Sequence, residues 1–154
     1  MDVVFHTEQA VFNYRVAGIW IQDDRILLHR ASDDHIWSLP GGRVEMNEAS
    51  PASLQREFKE ELDLSMTIER LVWVAENFFE YRGKKVHEIG FYYIVSNKIE
   101  EPIPTGQFHG IEGERLVYEW VPISELEEVI LYPEFLKKAL KDIPEKTEHY
   151  VVSN

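Results

Sequence analysis

The most informative segment of the sequence reads GGRVEMNE at residues 41–48 and continues with REFKEELDL at residues 56–64. Its residue types predict a loop, a helix and a second loop. Ser50 is a preferred helix N-cap residue, and Pro51 suits the first helical position because its missing N–H needs no partner there. We therefore expect a helix that starts at this point and runs to about Leu62.

Three acidic side chains crowd one turn of the predicted helix. At about 100° per residue, Glu57, Glu60 and Glu61 fall within about a third of its circumference. Beside them runs an apolar stripe: Leu54, Phe58 and Leu62. Like charges at this spacing repel, so a bound cation would stabilise them, and oxygen-only ligands suit Mg²⁺ or Mn²⁺. The alternative is a solvated acidic face whose charge is offset by neighbouring basic residues.

The spacing of the fixed residues adds a stronger indication. From Gly42 to Leu64 the chain reads glycine, five residues, glutamate, seven residues, Arg-Glu, an apolar residue, any residue, Glu-Glu, two residues and an apolar residue. This pattern resembles the signature of the Nudix (MutT-like) hydrolases. Asp63 stands where the signature has glycine, and Asn47 where glycine is frequent. Asn and Asp tolerate left-handed backbone geometry best among non-glycine residues, so both turns can be kept.

The resemblance implies both a fold and an activity. The fold is α/β, a Nudix-type α/β/α sandwich with a mixed β-sheet between helices, in a single domain over residues 1–154. The activity is metal-dependent cleavage of the pyrophosphate linkage of a nucleoside diphosphate joined to another moiety, by attack of water on phosphorus. The predicted order of hairpin, helix, long hairpin, loop, strand and helices is consistent with this fold.

The resemblance also implies roles for signature residues. The metal ligands would be the three acids of the helix, Glu57, Glu60 and Glu61, with Gly42 at the same site. The metal would be Mg²⁺ or Mn²⁺. Glu48 and Arg56 would be a supporting pair that holds the helix end and the preceding loop.

The general base varies within the family, so it could be a signature glutamate or an acid from a later loop. Glu112 and Glu114 are the candidates in that loop, and they would contact substrate there. Their alternative role is solvated surface charge.

The substrate class is the least determined part of the prediction. Tyr81 lies seventeen residues past Leu64, where dinucleoside polyphosphate hydrolases often carry a tyrosine, and we expect it to stack on a nucleotide base. A proline typical of ADP-ribose enzymes is absent near Phe79. A nucleoside triphosphate or dinucleoside polyphosphate is therefore favoured over ADP-ribose or a nucleotide sugar. The same residues would also fit a catalytically silent nucleotide-binding regulator, or an acidic structural protein with a chance motif.

Composition narrows the classes of partner. The formal net charge of −12 argues against binding long nucleic acid, which needs a basic surface, but permits a small phosphorylated nucleotide neutralised by bound metal. The chain has no cysteine and no apolar stretch of membrane-spanning length. We expect a cytoplasmic protein that does not bind membranes, and the resemblance makes a homodimer an option.

The N-terminal half predicts several strands. Residues 3–14 suggest a short strand pair, and residues 16–21 and 25–30 a hairpin around a Gln-Asp-Asp turn. His29 and His35 are interpreted as edge-strand or loop histidines, since neither has a partner at metal-ligand spacing. Residues 66–80 and 85–95 predict a long hairpin, whose second strand is apolar on both faces and so belongs in a sheet covered on both sides.

The C-terminal part predicts a loop, a strand and helices. Residues 96–113, rich in proline and glycine, are expected to form a lid over the substrate. Residues 115–121 predict a strand. Ser124 and Glu127 match a capping box for a short helix, a second helix is expected over residues 133–141, and the tail from Glu145 is expected to be loosely ordered.

Overall fold

The computed structural model describes residues 1–98 and 102–153. Its helices are α1 (Ser50–Leu62), a 3₁₀ helix (Ile123–Glu128) and α2 (Leu136–Ala139). Its strands are β1 (Val4–His6), β2 (Ala10–Ile19), β3 (Ile21–Gln22), β4 (Arg25–Ala31), β5 (Gly41–Arg43), β6 (Thr67–Tyr81), β7 (Lys84–Ser96), β8 (Gln107–Phe108), β9 (Leu116–Pro122) and β10 (Glu148–Ser153). None of the described helices is long and apolar enough to cross a membrane.

The strands form two sheets in the described part of the chain. The larger has the order β1-β2-β7-β6-β10, with β5 beside β2, and the smaller has the order β3-β4-β9-β8. In the larger sheet β2 runs parallel to β7 and β10 parallel to β6, while the other pairs are antiparallel. The predicted α/β fold with a mixed sheet is confirmed, and a second sheet accompanies it.

The larger sheet is covered on both faces, as the apolar alternation of β7 predicts. Tyr92 points into a core shared with the smaller sheet and α2, whereas Tyr93 points into a core under α1. The predicted stripe of α1 buries Leu54 and Phe58 completely against this second face. Gly18 makes room for the aromatic ring, because a Cβ there would lie 2.8 Å from Phe58 Cε2.

The long hairpin is confirmed, with paired residues running from Thr67 and Ser96 to Tyr81 and Lys84. Its two-residue turn, Arg82-Gly83, has φ values of 50° and 81°. Positive φ at both central positions matches the right-handed twist of paired strands, so the turn is tight. The hairpin tip therefore holds Tyr81 in a defined position.

The turns before and after α1 have the expected geometry, but its cap differs from the prediction. Asn47 and Asp63 have φ values of 65° and 55°, in the left-handed region. The N-cap residue is Ala49, not Ser50, and it makes no side-chain cap. Ser50 is the first helical residue, and its Oγ lies 2.7 Å from the Tyr93 hydroxyl. The serine therefore ties the helix to the sheet.

Two predicted β segments pair differently from the expectation. Residues 16–19 do not form the first half of a hairpin, because β2 continues through them and pairs with β7 and β5. Within the predicted first strand of the hairpin, residues 16–21, and its turn, only Ile21–Gln22 pairs with β4. In the loop of residues 96–113, Gln107–Phe108 forms a strand on β9, and residues 99–101 lie outside the described residues.

The C-terminal predictions are corrected in three places. Ser124 lies inside the 3₁₀ helix, which has no side-chain cap. The helix expected over residues 133–141 is shorter, spanning Leu136–Ala139. The tail is a strand rather than loosely ordered, because β10 pairs with β6 along its length and Tyr150 stacks on Phe135 at 4.6 Å between ring centroids.

Candidate active site

The candidate active site is an open cleft of about 820 Å³ above one face of the larger sheet. Side chains from β2, β6 and β7 form its floor, among them Asn13, Arg15, Asn77, Glu88 and Tyr92. Glu57 and Glu61 of α1, Gly42 of β5 and His29 of β4 contribute to its walls. The two sheets and the signature helix therefore meet at one concave surface.

The three signature acids of α1 do not share one environment. Glu57 and Glu61 line the cleft, and Glu61 is only 6% exposed. Glu60 is not among the cleft residues; its side chain is 53% exposed and lies 3.2 Å from Arg56 Nη1. The helix period explains the division, because Glu60 lies about 60° round the axis from Glu57 on the side away from Glu61.

The two cleft acids have raised pKa values. Burial raises the pKa of Glu61 to about 7, partly opposed by the Tyr118 hydroxyl, which donates a 2.9 Å hydrogen bond to Oε2. Burial also raises the pKa of Glu57, while Arg56 opposes the rise. The negative charge of Glu57 further raises the pKa of Glu61, and that of Glu60 further raises the pKa of Glu57, because like charges disfavour ionisation.

Arg56 joins the signature loop to the helix. Its Nε and Nη2 atoms donate to the two oxygens of Glu48 at 2.9 and 3.1 Å, and Nη1 lies 3.1 Å from Glu57 Oε1. The hydrogen bonds from Arg56 are the main reason that the pKa of Glu48 falls to about 2. A bidentate pair of this kind fixes orientation as well as charge, so it holds the position of α1 relative to its preceding loop.

Gly42 leaves space for the Glu57 carboxylate. A Cβ at this position would lie 2.4 Å from Glu57 Cδ, so any other residue would displace the acid. Arg15 is the nearby cation of the floor: it lowers the pKa of both cleft acids, and its Nη2 is held by the Leu39 carbonyl at 2.7 Å.

The donor set fits a hard divalent cation. Among residues 1–98 and 102–153 no group of three His, Asp or Glu side chains is placed to hold a metal. Mg²⁺, however, is commonly held by one or two carboxylates together with waters and substrate phosphates. Glu57 and Glu61 are two crowded, desolvated carboxylates that open onto a cleft, which matches this requirement. Glu60 could join them only by leaving Arg56.

The other predicted site residues lie in different places. Tyr81 lines the rim of the cleft, where its hydroxyl donates to Asp34 Oδ2 at 2.8 Å. Glu112 and Glu114 are exposed and are not cleft residues, and Glu112 pairs with Arg115 at 3.4 Å. Their loop nevertheless contacts α1, because the Ile111 N–H donates to the Glu61 carbonyl at 2.9 Å.

Sequence reasoning missed several cleft residues. His29, interpreted as an edge or loop histidine, is 6% exposed, and burial lowers its pKa to about 3. Asn13, Asn77 and Glu88 belong to no motif, although Asn13 and Asn77 are buried polar residues. The available signal was that each is a polar residue within a strand whose other residues are mostly apolar.

Comparison with known proteins agrees with this fold. The NUDIX domain family model matches residues 13–143, so the chain belongs to the Nudix family that its signature resembles. A MutT-like protein of Streptomyces ambofaciens is 32% identical over 72 residues, which are 46% of this chain and 47% of that protein. The match therefore spans about half the length of this relative.

Two solved structures are also similar. The E. coli ORF135 protein is 27% identical, with 84% of this chain and 89% of that chain covered and a TM-score of 0.55. A MutT NUDIX hydrolase from Burkholderia pseudomallei is 26% identical, with 73% and 84% covered and a TM-score of 0.55. The family match and these neighbours agree on the Nudix family and its fold.

Proposed function

We propose that this protein uses Mg²⁺ or Mn²⁺ to hydrolyse the pyrophosphate linkage of a nucleoside diphosphate joined to another moiety. The observation that carries the proposal is the pair Glu57 and Glu61, two desolvated carboxylates on the signature helix that face a nucleotide-sized cleft. Clefts of roughly 300–1,000 Å³ are typical for small ligands. The negative net charge of the protein favours a ligand that arrives with a neutralising cation.

The residues of the cleft and the signature have separate proposed roles in the cleavage of the pyrophosphate linkage. Glu57 and Glu61 would hold the metal, with Glu60 as the third ligand that the family resemblance implies. A bound divalent ion neutralises charge on phosphoryl oxygens and lowers the pKa of water. Arg15, on the floor close to both acids, is placed to bind a phosphate group. The Glu48–Arg56 pair would hold α1 and the Gly42 loop in fixed positions relative to each other during the reaction.

The general base is best sought within the signature. Glu61 lies in the cleft, where its carboxylate would accept a proton from the attacking water. Glu112 and Glu114 would have to move to reach the same place. A signature glutamate therefore has better support than the later loop, although closure of that loop over substrate stays a prediction.

The proposed substrates are nucleoside triphosphates or dinucleoside polyphosphates. Tyr81 supports this class by its position at the cleft rim, with Phe79 on the same face of β6 and also lining the cleft. Phe78 points to the other face, where it stacks on His87 at 4.4 Å. Only two of these three hairpin aromatics can therefore contact a base. A homodimer, which the resemblance leaves as an option, can be tested by gel filtration with light scattering.

The test is a panel of nucleotides with Mg²⁺, with products identified by mass spectrometry. Glu57→Gln and Glu61→Gln keep side-chain size and remove one charge each, whereas Glu125→Gln does the same at an exposed position of the 3₁₀ helix. We expect turnover by the wild type and the Glu125 variant and loss of turnover in the two cleft variants. A silent nucleotide-binding regulator would bind nucleotides without turnover, and wild-type rates in Glu61→Gln would refute the proposed site.

A further inference from the structure

A row of polar side chains crosses the floor of the cleft below the signature acids. Asn13 on β2, Glu88 on β7 and Asn77 on β6 are cross-strand neighbours in register, so their side chains point to the same face. All three line the cleft. Neighbouring strands lie about 4.8 Å apart, which places the three polar groups along one line of about 10 Å.

The contacts within this row leave hydrogen-bonding capacity open. Asn13 Nδ2 donates a 2.7 Å hydrogen bond to Glu88 Oε2, which orients the carboxylate. A carboxylate can accept about four hydrogen bonds, so Glu88 keeps acceptor capacity toward the cleft. Asn77 is only 4% exposed, and its amide makes no side-chain hydrogen bond to the described residues. Its donor and acceptor groups are therefore open to a ligand in the cleft.

The surroundings of the row indicate which part of a nucleotide would lie there. On the hairpin side the next row of the sheet is apolar, with Val11, Val86 and Phe79 in register. On the other side the next row carries Arg15, close to the signature acids. A nucleotide with its phosphates at Arg15 and the metal site would direct its base toward Glu88 and the apolar row.

We infer that Glu88 and Asn77 form a base-recognition subsite selective for guanine. Guanine is the common base that presents two adjacent N–H donors on one edge, the N1–H and the N2 amino group, and a carboxylate accepts from both at once. Its O6 lies beside N1 and would accept from the Asn77 amide. Adenine and the pyrimidines each place an acceptor next to any donor on that edge, so they would leave Glu88 facing a lone pair. This assignment rests on the proposed function, since it names the base of the nucleotide.

Asn13 has a supporting role in this subsite. Its amide contacts Glu88 rather than the open cleft, so it is a positioning residue that sets the carboxylate orientation. Inosine nucleotides isolate the contact between the N2 amino group and the carboxylate, because they keep N1–H and O6 and lack only that amino group. A site built to hydrogen-bond a substrate group discriminates strongly against an analogue without it.

The first experiment measures binding without metal, so that it does not depend on catalysis. NMR titrations with GMP, IMP and AMP are carried out on the wild type, Glu88→Gln and Asn77→Ala. Because a hydrogen bond to a charged group contributes about 1.5–3 kcal/mol, GMP should bind the wild type at least about tenfold more tightly than IMP. Glu88→Gln should remove this preference, and Asn77→Ala should weaken GMP and IMP equally.

The control is Glu76→Gln, which removes a carboxylate from the opposite face of the same hairpin, where Glu76 contacts His149. It should keep the wild-type preference for GMP, and thermal unfolding of all variants checks that each is folded. Equal binding of GMP and IMP by the wild type, or tighter binding of AMP, would overturn the inference.

A second measurement separates the inference from the proposed function. Hydrolysis of GTP, ITP and ATP with Mg²⁺ should follow the binding preference in kcat/KM, with the ratio of GTP to ITP reduced in Glu88→Gln. Selective GMP binding without hydrolysis of any nucleotide would contradict the proposed function and leave the guanine subsite standing. Hydrolysis with equal kcat/KM for GTP and ITP would contradict the guanine subsite and leave the proposed function standing.

Discussion

His29 should make the stability of this protein depend on pH below neutrality. Burial lowers the pKa of His29 from 6.5 to about 3, and the charges of Arg15 and Arg115 add to the shift. Between these two values the unfolded chain binds a proton at His29 and the folded chain does not, so the free energy of unfolding falls as pH falls. Each pH unit removes about 1.4 kcal/mol, and a drop from pH 7 to pH 5 removes about 2 kcal/mol.

The measurement is urea unfolding of the wild type and His29→Gln at pH 7, 6 and 5. The replacement has its own packing cost, which should not vary with pH, whereas the difference in free energy of unfolding between the two proteins should change by about 2 kcal/mol over this range. Glu61 acts in the opposite sense, because its raised pKa gives a contribution that is present at low pH and lost as pH rises through about 7. Glu61 is present in both proteins, so its contribution cancels in the difference between their free energies of unfolding.

The exposed His35 supplies the control, since His35→Gln should leave the pH dependence of stability as in the wild type. A difference between wild type and His29→Gln that stays constant from pH 7 to pH 5 would show that folding does not change the pKa of His29, and would refute the reasoning.

Three further predictions concern the active site. Glu57→Gln and Glu61→Gln should each lower kcat by on the order of 10²-fold in steady-state kinetics. In thermal unfolding, Mg²⁺ should raise the Tm of these variants less than that of the wild type. An equally large loss of kcat in Glu60→Gln would indicate that this exposed acid moves to the metal. Tyr81→Ala should raise KM by roughly tenfold, because base stacking contributes about 1–3 kcal/mol. Tyr81→Phe is the control and should keep most of the binding. Unchanged KM and kcat in the alanine variant would leave Tyr81 a packing role. A non-hydrolysable nucleotide with Mg²⁺ should slow proteolysis within residues 96–113, and equal cleavage with and without ligand would count against a lid.

The signature helix was predictable because its signals are local. Pro51, the apolar stripe and the left-handed Asn47 and Asp63 act within a few residues of their own positions, so the bounds of α1 follow from the sequence. The cap was predicted wrongly because Ser50 has a competing partner, the Tyr93 hydroxyl, which lies far away in sequence. At Ser50 the hydrogen bond with the Tyr93 hydroxyl therefore outweighed the local preference of serine for the N-cap position.

The pairing of strands depended on contacts that no local pattern carries. The apolar run before Gln22 fits a hairpin with β4, yet β2 joins the larger sheet because β7 and β5 flank it. The same limit applies to the cleft, since the row of Asn13, Glu88 and Asn77 exists only after β2, β7 and β6 have paired. The division of the acids between cleft and solvent likewise follows from where α1 docks, which the helix period alone does not determine.

The parallel pairing of β10 with β6 has a consequence for how the chain folds. The residues that complete this edge of the larger sheet follow α1 and the long hairpin in the chain, so during synthesis the outer edge of β6 is unpaired after the helix and hairpin have been made. Long-range parallel pairing is slow, and an open strand edge invites association with other chains. Residues 148–153 cover Trp73–Phe78 of β6 and become the outer strand of the sheet, so truncation before them should expose this part of β6 as an edge.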